Sequence, residues 1–84
     1  MLDSAFKVFP NPSDGLFSLT YLADEALKGK LKIISFNGQV VLEAEKTFGI
    51  GAVINIDLQG LAAGHYILEI ETEKGKITKQ LILK

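Results

Sequence analysis

The sequence predicts an all-β fold, an immunoglobulin-like antiparallel β-sandwich of about seven strands, and three observations predict it. Apolar and polar residues alternate with a period of two along most of the 84 residues, Asn-Gly and Lys-Gly pairs separate such runs, and no segment holds a helical period over a useful length. A single open sheet of this composition would leave its apolar face in water, so the strands must close into two packed layers.

The elements follow in order. Ala5 to Phe9 reads as the first strand and stops where Pro10 can no longer donate to a ladder. Leu16 to Leu22 sends Phe17, Leu19 and Tyr21 to one side and Ser18 and Thr20 to the other. Ala23 to Lys30 reads as a loop with at most one turn of helix, closing on Gly29. Lys30 to Phe36 and Gln39 to Glu45 flank Asn37-Gly38, a pair suited to the two positive φ angles of a type I′ hairpin turn. A glycine-bearing connection, Phe48 to Gly51, leads to a fifth strand, Ala52 to Leu58. His65 to Glu73 and Lys76 to Lys84 form a second tight hairpin around Lys74-Gly75, with Tyr66, Leu68 and Ile70 on one side and Glu69, Glu71 and Glu73 on the other. The inner faces are expected to share Phe17, Leu19, Leu31, Ile33, Val40, Leu42, Ile54, Ile56, Tyr66, Leu68 and Ile70. Each contributes about 1.5 to 3 kcal/mol when fully buried.

Composition narrows the function. One domain of this size buries only roughly 60% of its unfolded surface, which leaves little room for a deep catalytic pocket. With 48% apolar and 23% charged residues the chain is too hydrophobic for disorder and too interrupted for a membrane span. Nine lysines against ten acids leave a net charge of -1, and arginine is absent, so the guanidinium forks that read phosphates and guanines are missing and no nucleic acid partner is expected. Cysteine is absent, which removes disulfides, thiolate metal sites and cysteine nucleophiles together. The first nine residues lack the basic cluster and long apolar core of a secretory signal peptide.

The candidates for chemistry are few. A serine nucleophile needs a base, and the one histidine, His65, stands between Gly64 and Tyr66 at the start of a strand, where a half-exposed structural role fits it best. Asp14, Asp24, Glu25, Glu43 and Glu45 lack the close, regular spacing of a calcium loop. Gly60 and Gly64 precede a strand and lack phosphate-loop spacing, so their reading is turn geometry. No catalytic residue, no metal and no cofactor is expected, and the chain is not expected to be an enzyme.

Four segments nevertheless carry a pattern: VFPNPSDGLFSL around Pro10, Asn11 and Pro12; IISFNGQVVLEAE around Gly38; LAAGHYILEI with Leu61, Gly64 and Tyr66; and KQLILK, ending in Lys84. In this order the segments resemble the C-terminal sorting domain, type A, of cargo proteins of the type IX secretion system in Bacteroidetes. The resemblance runs from about Phe6 to Lys84, with Phe9 where the family usually has tyrosine.

The resemblance implies residues 5–84 as a sorting domain and residues 1–4 as a linker remnant, in a chain that looks like a tail excised from a longer cargo. It implies a binding role: the folded domain engages the type IX translocon and its shuttle proteins, passes through the periplasm, and is removed by a surface sortase that leaves the cargo at the cell surface or secreted. The scissile bond is expected upstream of Phe6, near residues 2–5 or before them. Pro10 and Pro12 hold φ near −65° and push Phe9 and Asn11 toward extended conformations, fixing how the chain enters the domain, and Tyr66 suits a tyrosine corner. Lys84 is expected at the open end of the sandwich. The edges of such a sandwich also make pairing of isolated domains a risk. A reading from another class, an immunoglobulin-like accessory or carbohydrate-binding module of an extracellular hydrolase, calls for a row of exposed aromatics. Adhesin or spacer repeats call for internal self-similarity, and the chain shows none beyond its two glycine hairpins.

Overall fold

Seven strands follow a single 3-10 turn (Asp3–Ala5): β1 (Phe6–Phe9), β2 (Leu16–Tyr21), β3 (Leu27–Ser35), β4 (Val40–Phe48), β5 (Val53–Asp57), β6 (Gly64–Thr72) and β7 (Gly75–Leu83). The structure, a computed structural model, describes residues 3–84; Met1 and Leu2, half of the expected linker segment, lie outside it. Three strands form one sheet in the order β1-β2-β5, and four form the other in the order β4-β3-β6-β7. Every strand pairing is antiparallel. Unlike a constant-type immunoglobulin domain, in which the fourth strand joins the first sheet, β4 here pairs with β3.

Alternation explains the core. Along β2 the buried residues are Phe17, Leu19 and Tyr21, and along β6 they are Tyr66, Leu68 and Ile70, so each sheet presents one apolar face to the other. Phe6, Tyr21 and Phe48 close one end, the Phe6 and Phe48 rings meeting edge-on at 5.0 Å and Phe6 lying 5.1 Å from Tyr21. That cluster ties β1 and β2 of one sheet to β4 of the other.

Several local expectations need correction. The segment 23–30 has no helical turn: Ala23 to Glu25 bend, and β3 already runs from Leu27, which is buried opposite Phe48. Gly29 is a strand residue, lodged where a Cβ would stand 2.9 Å from the Glu71 carbonyl oxygen. Phe48 belongs to β4 and to the core instead of opening a loop. The turn at Asn37-Gly38 is not type I′, because no described non-glycine residue has a positive φ; Gly38 alone does, at 88°. Its N–H donates to Ser35 O at 2.9 Å while Ser35 N–H donates to Gln39 O at 2.8 Å, which makes a three-residue loop of a turn followed by a left-handed glycine. The second hairpin turns at Glu73-Lys74, one residue earlier than expected, with Thr72 opposite Gly75.

Val40 leaves the expected core for a related reason. Ile33 stands opposite Leu42 but Ile34 stands opposite Val40, so Val41 is an extra, bulged residue. The bulge turns Val40 outward beside Ile34 and leaves it 47% exposed, while Val41 packs on the core. Leu42 and Ile54 are only partly buried; Phe6, Tyr21, Leu27, Phe48, Leu58, Ile77, Leu81 and Leu83 complete the core in their stead.

Strand direction then sorts the connections. The β1–β2, β3–β4 and β5–β6 loops and the end of β7 gather at one end, joined by bonds from Leu58 N–H to Gly15 O at 2.7 Å and from Ser13 N–H to Ile82 O at 3.0 Å. The β2–β3, β4–β5 and β6–β7 connections lie at the other.

Candidate functional site

Prolines have no N–H, so Pro10 and Pro12 cannot donate to a neighbouring strand. Both bonds preceding them, Phe9–Pro10 and Asn11–Pro12, are cis. The segment still pairs with β7, and it does so through the side chain between the two rings. The Asn11 Nδ2 donates to Gln80 O at 2.6 Å, and its Oδ1 accepts from Ile82 N–H at 2.9 Å. One step along, the Ser13 backbone takes over: its N–H donates to Ile82 O and its carbonyl accepts from Lys84 N–H, both at 3.0 Å, as a parallel bridge to Leu83.

These four bonds form one ladder. Ser13 bridges the groups flanking Leu83, and the Asn11 carboxamide bridges the groups flanking Leu81, which is the spacing a parallel strand uses. A carboxamide carries the same donor and acceptor as a peptide unit, so Asn11 supplies with its side chain what the prolines deny the backbone. The Ser13 hydroxyl, buried, donates to Leu16 O at 2.6 Å and accepts from Gly15 N–H at 3.2 Å, fixing the return into β2. The strap so formed covers the outer edge of β7 at its last residues, and Lys84 Nζ lies 3.9 Å from Asp14 Oδ1 across it, both side chains in solvent. Pro10, Pro12, Leu16, Gln59 and Lys84 line an open groove of about 350 Å³ beside the strap.

The remaining motif residues stand at the same end. Tyr66 is buried at the start of β6 and its Oη donates to Ala62 O at 2.6 Å, four residues upstream, which is the tyrosine corner of immunoglobulin-like sandwiches. Gly64 begins β6 opposite Leu83 at a φ of 148°, with open space where a Cβ would stand, so its requirement is conformational and not steric. Gly38 closes the β3–β4 hairpin, in which Asn37 Oδ1 accepts from the Ser35 hydroxyl and from Gln39 N–H at 3.2 Å. Phe36 at the hairpin tip is 83% exposed and Leu61 is 41% exposed. With Val41, Ala62, His65 and Tyr66 they line a second groove of about 260 Å³.

Every predicted site residue, Pro10, Asn11, Pro12, Gly38, Leu61, Gly64, Tyr66 and Lys84, therefore stands at one end of the sandwich. Sequence reasoning missed Ser13, Gln80 and Ile82, which complete the ladder; "PSDG" reads as a turn and Gln80 as one more strand residue, so nothing local signals the contact. His65 is exposed with Nδ1 2.7 Å from Gln80 Nε2. Of the seven aromatic residues, only Phe9 and Phe36 are exposed; Phe9 belongs to the β1-β2-β5 sheet and Phe36 to the hairpin of the other. Among the described residues no three His, Cys, Asp or Glu side chains are grouped to hold a metal, and no helix is long and apolar enough to cross a membrane. The perturbed titrating groups, Glu25 and Lys74, pair at the opposite end.

A family model described as the secretion system C-terminal sorting domain matches residues 7–84. No curated protein matches the chain.

Proposed function

The chain belongs to the secretion system C-terminal sorting domain family, and from that premise we propose that it acts by being recognised, without catalysis, at the end of the sandwich where its four motif segments meet. As a type IX sorting domain it marks a cargo for export to the cell surface or medium. The finer steps are part of our reading. The cargo enters the periplasm by a separate signal, the folded domain engages the outer-membrane translocon and its shuttle proteins, and a surface sortase cuts upstream of Phe6 and releases the domain from the cargo.

One observation carries this reading: residues as far apart in sequence as Asn11, Gly38, Tyr66 and Ile82 are brought to one end by strand direction, and Asn11 is bonded there to Ile82 across 71 residues of chain. A partner approaching that end meets all four segments of a folded domain at once. A carbohydrate module is disfavoured by the placement of Phe9 and Phe36 on different sheets, which makes no stacking row.

The test is transport. A secreted reporter with residues 5–84 at its C-terminus is expected at the surface or in the medium of a host carrying the type IX machinery, and in the periplasm of a host lacking it. Equal release from both hosts overturns the proposal.

A further inference from the structure

We propose that Asn11 is a positioning residue: its carboxamide locks the strap of residues 10–13 onto the end of β7 and so joins two remote motifs into one recognition surface. The proposal rests on the sorting reading above and adds to it the element that makes the surface single. Two features of the strap argue for it. The segment before Asn11 is β1, the first strand of the three-stranded sheet, whereas Gln80 and Ile82 belong to the outer strand of the four-stranded sheet, so the ladder links the two sheets at this end. Moreover, the groove beside the strap combines Pro10 and Pro12 of the strap with Leu16, Gln59 and, from the end of β7, Lys84, so its shape depends on how the strap is seated.

Asparagine suits this place for a chemical reason. Gln80 O needs a donor and Ile82 N–H an acceptor, and only a carboxamide offers both on one short, planar group. Aspartate lacks the donor, and alanine and leucine lack both. Because Asn11 is exposed and both its carboxamide bonds go to backbone groups, its loss should loosen the strap and leave the sandwich folded.

Native-state hydrogen exchange on the full 84-residue chain reads the lock directly. In Asn11→Ala the amide of Ile82 is expected to exchange roughly tenfold to thirtyfold faster, the loss of two hydrogen bonds of ordinary strength, while that of Ile70 in the β6 core changes by no more than the fall in global stability and stays the better protected of the two. The same substitution in the reporter fusion is expected to leave the cargo in the periplasm. Tyr21→Phe, which removes the Tyr21 Oη bond to Glu25 O at the opposite end, is the stability control and is expected to be exported. If export merely tracked stability, the two variants would fail alike. Unchanged exchange at Ile82 in Asn11→Ala overturns the lock, and so does export of that variant at the native level. Retention of the native fusion together with every variant instead overturns the sorting reading itself.

Discussion

The Asn11 carboxamide and the Ile82 amide, 71 residues apart in sequence, meet at 2.9 Å and link the two sheets at one end. Removing that bond together with its companion to Gln80 O should lower stability by about 1 to 2 kcal/mol, since a hydrogen bond exposed to competing water contributes roughly 0.5 to 1 kcal/mol. Urea denaturation of Asn11→Ala against the native chain measures it. A variant as stable as the native chain would mean that water replaces both bonds at no net loss.

This contact also marks where the sequence stops being informative. Alternation in Phe17, Leu19 and Tyr21, or in Tyr66, Leu68 and Ile70, announces strands because burial of one face repeats every second residue. Nothing local announces that Asn11 pairs with β7, since a long-range bond leaves no period. The bulge at Val41 is hidden for a similar reason: only the partner register shows that Val40 has turned outward. Gly29 misleads because glycine serves tight turns and close approaches alike, and Glu71 O supplies a close approach. The motif residues were legible as a set, and their common location follows from strand direction once seven strands are counted.

The β3–β4 hairpin separates two turn geometries. With Gly38 alone at a positive φ, Gly38→Ala places a Cβ in the left-handed region and should cost about 1 to 2 kcal/mol. Asn37→Ala removes only side-chain acceptors in solvent and should cost less. A type I′ turn would make position 37 as sensitive as position 38. Thermal denaturation of the two single variants decides between them.

The tyrosine corner carries a similar prediction. Tyr66→Phe keeps the buried ring and removes only the donor to Ala62 O, so stability should fall by about 0.5 to 1.5 kcal/mol with the spectrum unchanged. Gly64→Val acts on the same loop through φ, and a β-branched residue at 148° should cost more than the lost hydroxyl. If Gly64→Val melts with the native chain, β6 starts with a different backbone from the one described.

At the far end, the hydrogen bond and then the charge of Lys74 hold the Glu25 carboxyl below its ordinary value, and Glu25 in turn raises Lys74. A lowered acid stabilises the fold above its unfolded pKa and loses that contribution as pH falls through the folded one; a raised lysine stabilises below its unfolded pKa and loses it as pH rises through the folded one. The pair therefore acts in the neutral window between the two. Both side chains are more than half exposed, at 64% and 53%, so solvent and salt screen it strongly. Glu25→Gln should differ slightly from the native chain in melting temperature at neutral pH and low salt, and the difference should vanish in acid and at high salt. A large difference that persists in both would mean that Glu25 acts through something other than charge.

Exposed apolar side chains at both ends allow the recognising end to be mapped without disturbing the core. Phe36 and Leu61 stand at the motif end, 83% and 41% exposed, whereas Leu22 and Ile50 stand at the opposite end, 51% and 70% exposed. Serine at Phe36 or Ile50 removes little buried surface, and at the half-buried Leu61 and Leu22 it removes a similar moderate amount at each end, so all four variants should fold and each motif-end variant has a far-end control of matching burial. A protein partner gains most where it buries apolar anchors beside a groove, and Phe36 and Leu61 flank such a groove together with Tyr66. In the reporter assay, Phe36→Ser and Leu61→Ser are expected to reduce export, while Leu22→Ser and Ile50→Ser leave it at the native level. The reverse pattern would place recognition at the Glu25–Lys74 end, and the gathering of the four motifs would then serve only to hold the sandwich shut.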